Sequence, residues 1–317
     1  SHSGSIRLAV ASAHLPRSTR ADHDSCLYVM PNTTYCKVWA TTEEVSPLPS
    51  EPFLTAYMVV LALSALVAGV AIKNLGPKEI RRLLMDAGVA INKVAKTARE
   101  LERKIFHLCG LLVPLIYQVL LQYGRLPSRE CARICWAITI VGCGADLLRV
   151  HVPIVQRNWP LKGILRDKEQ TQLCGGSYFA LGCTLAIHFF APVIAMTSII
   201  FLVLGDMSAA LIGRSFGQSV CSMKIGPGGK KSVEGSTAMF LVCFTFGCTI
   251  FGQVHLREYA VFFAALTATF AELYEPFGIN DNVSIPVLSS LALTFGFART
   301  YSCEPTQNPL LWHRGEG

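Results

Sequence analysis

The chain has 317 residues, of which 51% are hydrophobic and 15% are charged, with a net charge of +7 at pH 7. Soluble domains usually have about a quarter of charged residues, and the deficit here lies in uncharged stretches of about twenty residues, long enough to cross a bilayer as helices. The composition excludes a soluble enzyme, a disordered protein and a nucleic-acid-binding protein whose main feature is basic charge.

The first half of the chain contains three predicted membrane spans. A polar tail over residues 1–52 precedes the first span, which is uncharged over residues 53–72. An amphipathic segment over residues 73–104 follows, with nine Lys or Arg and apolar residues at helical spacing, and we expect it to form a helix on the cytosolic membrane surface. The next two spans are predicted over residues 105–124 and 131–148.

Five further spans are predicted in the second half. They cover residues 173–190, 191–213, 236–254, 259–271 and 283–299. The prediction is thus an all-α, polytopic integral membrane helix bundle with about eight spans. Its multi-span domain covers residues 105–300 and is followed by a C-terminal tail over residues 301–317.

The distribution of Lys and Arg predicts the orientation. The connections after spans one, three and five contain nine, five and four of the 28 Lys and Arg, whereas those after spans two, four and six contain two, none and one. Basic loops stay on the cytosolic side. We therefore expect the first set, including the loops 149–172 and 214–235, to be cytosolic.

Unusual polar residues concentrate at the predicted cytosolic ends of the spans. The set comprises Arg103, Lys104, His107, Asp146, Arg149, Asp206, Arg214, Lys230, Lys231, Ser232, Glu234, Glu272, Asp281 and Asn282. Transporters more often place charges near the bilayer midplane. A one-sided ring is typical of an active site that takes one substrate from water and another from lipid.

Asp206 is the most informative single residue, because it follows an apolar run inside the fifth span. A carboxylate within a span is costly and is usually paired or functional. One interpretation is a structural ion pair with a basic residue of a neighbouring span. The other is a Mg²⁺ ligand, since Mg²⁺ is commonly held by carboxylates together with nucleotide phosphates.

The loop 224–236 has the features of a phosphate-binding segment. Its glycines allow backbone N–H groups to approach oxygens, Lys230 and Lys231 supply positive charge, and a helix N-terminus begins near Ser236. Its spacing differs from that of a P-loop, because Lys231 separates Lys230 from Ser232. A solvated connector is the alternative.

The remaining candidates each have a structural alternative. Glu272 and the Asn280–Asn282 turn flank the junction of spans seven and eight, where Asp281 or Asn282 is expected to cap a helix. His107 lies one turn after Lys104 and is either a packed or a functional histidine. Asp146 and Arg149 have the i, i+3 spacing of a helix-end ion pair, which is the interpretation we favour.

The sequence between Glu100 and Ser290 resembles the CTP-dependent lipid kinases, which include the yeast-type diacylglycerol, dolichol and phytol kinases and are distantly akin to phosphatidate cytidylyltransferase. Four stretches match in order: Glu-Leu-Glu-Arg-Lys-Ile-Phe-His at 100–107, Asp-Leu-Leu-Arg at 146–149, residues 205–217 with Lys-Ser-Val-Glu-Gly-Ser at 231–236, and residues 272–290. The first and last stretches are most similar to the diacylglycerol kinase branch.

The resemblance implies phosphoryl transfer from CTP to the hydroxyl of a membrane lipid alcohol, with a divalent cation such as Mg²⁺. It implies Asp206 as the metal ligand, Arg214 as the residue stabilising developing charge, and Glu272 or Asp281 as the group that orients or deprotonates the lipid hydroxyl. The nucleotide-binding set is Lys230, Lys231, Ser232, Glu234, Gly235 and Asn282. The supporting set is Arg103, Lys104, His107, Asp146 and Arg149.

The sequence leaves alternatives open for the acceptor lipid, the membrane and the reaction. The acceptor is diacylglycerol, dolichol or phytol. An endoplasmic reticulum membrane is expected, and a plastid membrane is the alternative because residues 1–20 are Ser- and Arg-rich without an acidic residue. Cytidylyl transfer, in which a lipid phosphate attacks the α-phosphate of CTP, is the second function, and a transporter or non-catalytic scaffold is the third.

Overall fold

The computed structural model describes residues 51–159, 167–217, 223–229, 231–252, 254 and 256–300. Nearly all of the polar tail, the C-terminal tail and Lys230 lie outside the described residues. Within these ranges the protein is all-α apart from one short hairpin. The helices are α1 (Glu51–Asn74), α2 (Pro77–Asp86), α3 (Ile91–Leu108), α4 (Leu112–Gln122), α5 (Ser128–His151), α6 (Pro153–Arg157), α7 (Gly175–Phe189), α8 (Pro192–Ile200), α9 (Asp206–Phe216), α10 (Val233–Ile250), α11 (Arg257–Tyr274) and α12 (Asp281–Thr300).

Four helical segments of the described chain are long and apolar enough to cross a membrane. They are Pro52–Asn74, Ser128–His151, Pro192–Phe216 and Val233–Ile250, which correspond to the predicted spans one, three, five and six. The other four predicted spans also fall on helices, namely α4, α7, α11 and α12. The all-α fold is confirmed with four candidate spans, and the count of eight stays a prediction.

The third of these segments is the central helix of the bundle. In its most apolar part 78% of the residues are buried, because α7, α10 and α12 all pack around it. It has three parts: α8, a π-helical turn over Phe201–Gly205, and α9. Such a turn adds one residue to an α-helix and is frequent at functional sites, and here Asp206 follows it directly.

Small residues bring α9 and α10 close together. A Cβ atom on Gly235 of α10 would lie 2.7 Å from the backbone oxygen of Ala209 and 3.1 Å from the Cα atom of Gly213, both on α9. Close approach of this kind is the usual role of glycine and alanine between membrane helices. The first turn of α10 is therefore held against the helix that begins with Asp206.

The amphipathic segment differs from the single surface helix that we predicted. It forms two helices, α2 and α3, separated by residues 87–90, where Gly88 has φ of +84°. This left-handed conformation favours glycine and ends the first helix. One face of α3 is buried and includes Thr97, Glu100 and Lys104, because α3 packs against α9. The helix continues beyond the predicted end at residue 104 to Leu108.

The glycine-rich loop contains a two-stranded antiparallel hairpin, β1 (Lys224–Ile225) and β2 (Lys231–Ser232), with Ile225 paired to Lys231. Gly226 has φ of +78°, and a Cβ atom there would lie 2.8 Å from the backbone oxygen of Leu273. The hairpin is thereby fixed against the end of α11, and Lys231 has a defined position.

Candidate functional site

Most of the predicted site residues line one cavity of about 900 Å³. Its walls come from α3, the start of α7, α9, the hairpin, the first turn of α10, the end of α11 and the start of α12. The predicted residues that line it are Lys104, His107, Asp206, Arg214, Lys231, Ser232, Gly235, Glu272, Asp281 and Asn282. Of the other described candidates, Asp146, Arg149 and Glu234 lie outside this lining.

Asp206 is buried at the start of α9 and forms an ion pair with Lys104 of α3. The Nε2 atom of His107 lies 3.4 Å from Oδ2 of Asp206 and 3.4 Å from the backbone oxygen of Leu202. Lys104 and His107 are one turn apart on α3, so both reach the same carboxylate. The neighbouring Arg103 lies on the same helix, and its side chain is outside the described set.

A second ion pair connects the hairpin to the end of α11, between Lys231 and Glu272. Burial opposes the charge on the Lys231 ammonium, but the carboxylates of Glu272, Asp281 and Asp206 together outweigh burial and raise the pKa of Lys231. Lys231 is therefore protonated at neutral pH. Its position on β2 provides a fixed positive charge for an anionic ligand.

Ser232 caps α10, because its Oγ atom accepts a hydrogen bond from the backbone N–H of Gly235 over 3.1 Å. Gly235 and Ser236 in the first turn line the cavity. The Oγ atom of Ser236 is buried without a hydrogen-bond partner among the described residues. The positive end of a helix together with an unused hydroxyl suits a phosphate group.

Arg214 is held at the cavity mouth by Glu100, with 2.9 Å between Arg214 Nε and Glu100 Oε2. The Glu100 side chain is 4% exposed and that of Arg214 is 48% exposed. Glu100 is the first residue of the matching stretch 100–107 and is not among the predicted site residues. Its spacing of four residues from Lys104 places both on one face of α3, and this signal was available in the sequence.

The start of α12 carries Asp281 and Asn282. Asn280 caps the helix, since its Oδ1 atom lies 3.0 Å from the backbone nitrogen of Asn282, and Oδ1 of Asp281 is a second acceptor at 2.9 Å. Asp281 precedes the predicted span 283–299. Burial is the main cause that raises the pKa of Asp281, and the negative charge of Asp206 is the second. The Oδ1 atom of Asn282 is buried and has no partner among the described residues.

Asp146 and Arg149 form the predicted helix-end ion pair, with 2.7 Å between Arg149 Nε and Asp146 Oδ1. Oδ2 of Asp146 also accepts hydrogen bonds from the backbone N–H of Cys174 at 2.7 Å and from Ser177 Oγ at 2.8 Å. Arg149 donates to the backbone oxygen of Gln172. The pair thus fixes the beginning of α7, whose Gly175 lines the cavity.

The oxygen donors of the cavity suit a hard cation. No group of three or more His, Cys, Asp or Glu that could hold a metal ion occurs among the described residues. Asp206, Glu272 and Asp281 nevertheless line the same cavity. Mg²⁺ is commonly bound by one or two carboxylates together with phosphates and water, so the donor set fits a cation that arrives with a nucleotide.

Several charged or aromatic residues of the cavity are not among the predicted site residues, for example Lys93, Trp159, Glu169 and Glu275. Lys93 donates a hydrogen bond to the backbone oxygen of Gly217 over 2.6 Å. These residues belong to a surface helix, a polar loop and a helix end, where charged and aromatic side chains are common. No spacing in the sequence distinguishes them.

Comparison with known proteins finds distant relatives. The chain is 24% identical over 227 residues to CTP-dependent diacylglycerol kinase 1 of Saccharomyces cerevisiae, covering 62% of this chain and 72% of the relative. It is 25% identical over 192 residues to the Schizosaccharomyces pombe protein of the same name, covering 50% and 86%. An uncharacterized protein of Rickettsia prowazekii is 26% identical over 203 residues, covering 62% and 93%. No family model and no solved structure matches.

These similarities support the CTP-dependent lipid kinase family that the sequence motifs indicated. Together with the apolar helices they support an integral membrane protein with a nucleotide and a lipid as ligands. The two yeast relatives reported above are both named CTP-dependent diacylglycerol kinase 1.

Proposed function

We propose that this protein transfers the γ-phosphoryl group of CTP to the hydroxyl of a membrane lipid alcohol, with diacylglycerol as the acceptor and phosphatidate as the product. The observation that carries the proposal is one cavity, at the ends of apolar helices, that contains the Lys104–Asp206 pair, the Lys231–Glu272 pair and the first turn of α10. Phosphoryl transfer requires chiefly positioning and charge neutralisation, and these groups supply both.

The phosphates occupy the side of the cavity formed by the hairpin and α10. Lys231 has three N–H donors, so it donates to the phosphate oxygens while keeping its bond to Glu272, and the Ser236 hydroxyl, unpartnered among the described residues, approaches them from the first turn of α10. Arg214, half exposed and oriented by Glu100, approaches from α9 and neutralises charge that develops during transfer. Lys230 adds positive charge from the same loop in this proposal.

Asp206 is the proposed ligand of Mg²⁺, which when bound neutralises phosphate charge and aligns the nucleotide. Lys104 and His107 hold the Asp206 carboxylate in one orientation. This arrangement explains why an acidic side chain is retained inside an apolar helix. The oxygen donors in the cavity wall are the observation that supports a divalent cation.

Asp281 is the proposed general base. Glu272 is engaged by Lys231, whereas Asp281 forms no ion pair within the described part of the chain, and its raised pKa suits proton acceptance. Asp281 takes the proton of the lipid hydroxyl, and the oxygen forms a bond to the γ-phosphorus. The bond from that phosphorus to the β–γ bridging oxygen breaks, and CDP leaves.

The proposal places the cavity on the cytosolic face of an endoplasmic reticulum membrane. The clustering of Lys and Arg in alternate connections supports this orientation. Water-soluble CTP would then enter from the cytosol, and the lipid alcohol would enter from the bilayer.

The test is a transfer assay with purified protein and γ-labelled CTP or ATP, with diacylglycerol, dolichol and phytol supplied separately. We expect labelled phosphatidate with CTP and its loss in Asp206→Asn. Asp86→Asn, which removes an exposed carboxylate of α2, is the matched control and should retain activity. Folded protein that labels no lipid, or that forms a CDP-lipid from phosphatidate and α-labelled CTP, would overturn the proposal.

A further inference from the structure

Four residues of the cavity wall, Trp159, Glu169, Gly175 and Asn282, take no role in the phosphoryl transfer described above. Trp159 follows α6, Glu169 precedes α7, Gly175 begins α7, and Asn282 is next to the proposed base Asp281 in α12. The phosphate-binding groups belong to the hairpin, α9 and α10. A nucleotide has a base as well as phosphates, and this second wall provides an aromatic ring beside hydrogen-bond acceptors.

Trp159 is held by a buried arginine. The Cζ atom of Arg149 lies 5.8 Å from the centroid of the Trp159 ring, and Arg149 is itself 0% exposed and fixed by Asp146 and the backbone oxygen of Gln172. An arginine over one face of an indole stabilises the orientation of its ring. An aromatic ring in a cavity wall is a stacking surface for a nucleobase.

Glu169 and Asn282 flank Gly175. Oε1 of Glu169 accepts a hydrogen bond from the backbone N–H of Gly175 over 3.0 Å. A Cβ atom on Gly175 would lie 3.3 Å from Oε1 of Glu169 and 3.6 Å from Nδ2 of Asn282. A carboxylate accepts about four hydrogen bonds and donates none, so Glu169 recognises a donor and repels a carbonyl.

Asn282 provides an independent indication of a ligand. Its Oδ1 atom is buried and lacks a hydrogen-bond partner among the described residues. A buried acceptor without a partner is unfavourable, because it has lost its hydrogen bond to water. A ligand that brings an N–H group to this wall would remove that cost.

We propose that Trp159, Glu169 and Asn282 form the nucleobase subsite and select cytosine through its exocyclic amine. This inference rests on the proposed use of a nucleotide. The cytosine ring stacks on Trp159, and its N4 amine, which has two hydrogens, donates to Glu169 and to Oδ1 of Asn282. Uracil has a carbonyl oxygen at the same ring position and is rejected, because that oxygen would face two acceptors.

The decisive measurement is the ratio of kcat/KM for CTP to that for UTP. Glu169→Gln retains an acceptor for the Gly175 N–H but adds a donor toward the base, and we expect it to lower the ratio at least tenfold. Trp159→Leu should raise KM for both nucleotides about tenfold. Glu258→Gln and Trp136→Phe, which change the same residue types outside this wall, are the matched controls.

Two further readouts separate the subsite from the kinase activity. Inhibition by inorganic tripolyphosphate reports the phosphate wall and should be the same in wild type, Glu169→Gln and Trp159→Leu. CTP should quench tryptophan emission in wild type and Trp136→Phe but not in Trp159→Leu, and this binding signal does not require turnover. If wild type binds CTP in this way but transfers no phosphoryl group, the kinase proposal fails and the subsite stands.

An unchanged CTP-to-UTP ratio in Glu169→Gln, with an unchanged KM in Trp159→Leu, would overturn the subsite. Tripolyphosphate inhibition that weakens in parallel with CTP binding would also overturn it, because the variants would then be acting on the phosphate wall.

Discussion

Lys104 of α3 and Asp206 of α9 form a buried ion pair across the candidate site, although 102 residues separate them in the sequence. The position of Asp206 in an apolar span allows two interpretations, a structural ion pair or a functional carboxylate. The structure contains the ion pair and also places the carboxylate in the wall of a cavity. The two interpretations are therefore compatible.

The first prediction concerns the stability supplied by this pair. Lys104→Met leaves the Asp206 carboxylate without its main compensating charge, and removal of one partner of a buried pair costs about 3–5 kcal/mol. We expect the free energy of unfolding in detergent micelles to fall by roughly 3 kcal/mol.

A double variant is the control for this prediction. Lys104→Met combined with Asp206→Asn removes both charges and should be more stable than Lys104→Met alone. A double variant that loses the sum of the two single effects would show that the residues do not interact.

The second prediction concerns Glu100 as a positioning residue. Glu100→Gln keeps an acceptor for Arg214 but removes the charge that orients its guanidinium, and charged hydrogen bonds contribute about 1.5–3 kcal/mol. We expect kcat of the transfer reaction to fall about tenfold with a smaller change in KM for CTP. Asp86→Asn, which breaks the exposed pair of Arg82 and Asp86, should change neither. A raised KM with unchanged kcat would instead assign Arg214 to ground-state binding.

The third prediction concerns the contact between α9 and α10. Gly235→Ala places a methyl group 2.7 Å from the backbone oxygen of Ala209, so the helices must separate near the site. We expect a stability loss of about 1–3 kcal/mol and reduced transfer, measured by thermal unfolding and the lipid assay. Gly142→Ala is the matched control, because a Cβ atom there meets nothing within 4 Å; equal effects of both changes would contradict the prediction.

The fourth prediction concerns the buried support of α7. Asp146→Asn weakens the hydrogen bonds that Asp146 accepts from Arg149, Cys174 and Ser177. We expect a stability loss of about 3 kcal/mol and faster protease cleavage between α5 and α7. Ser177→Ala removes one of these bonds and should cost about 1 kcal/mol. Equal losses in the two variants would show that Asp146 holds α7 through Ser177 alone.

The positions of the helices and the clustering of polar residues could be predicted, because apolar length and one-sided charge are local properties of the sequence. The break in the amphipathic segment at Gly88 could not be predicted, since a single glycine inside a helical pattern is often tolerated. The hairpin within the predicted phosphate-binding loop could not be predicted either, because its order depends on contact with Leu273. Sequence spacing carries no information about contacts of this kind.

The candidate site divides in the same way. The residues on transmembrane helix ends were predicted because charge is rare in such surroundings. Trp159 and Glu169 were not predicted, because they lie in a polar loop where their types are ordinary. Their proposed role depends on contacts with Arg149 and Gly175, which the folded structure provides.

The π-helical turn before Asp206 makes the length of the central helix as important as its composition. A π turn amounts to a one-residue insertion in an α-helix, and each residue of a regular α-helix rotates the next by about 100°. Deleting one residue of α8, where the helix is regular, would therefore turn Asp206 away from Lys104 and His107 while leaving the helix apolar, whereas a deletion inside Phe201–Gly205 would remove the π turn and largely keep the register. Exchanges among aliphatic residues preserve this register, so insertions and deletions in α8 are far more disruptive than substitutions.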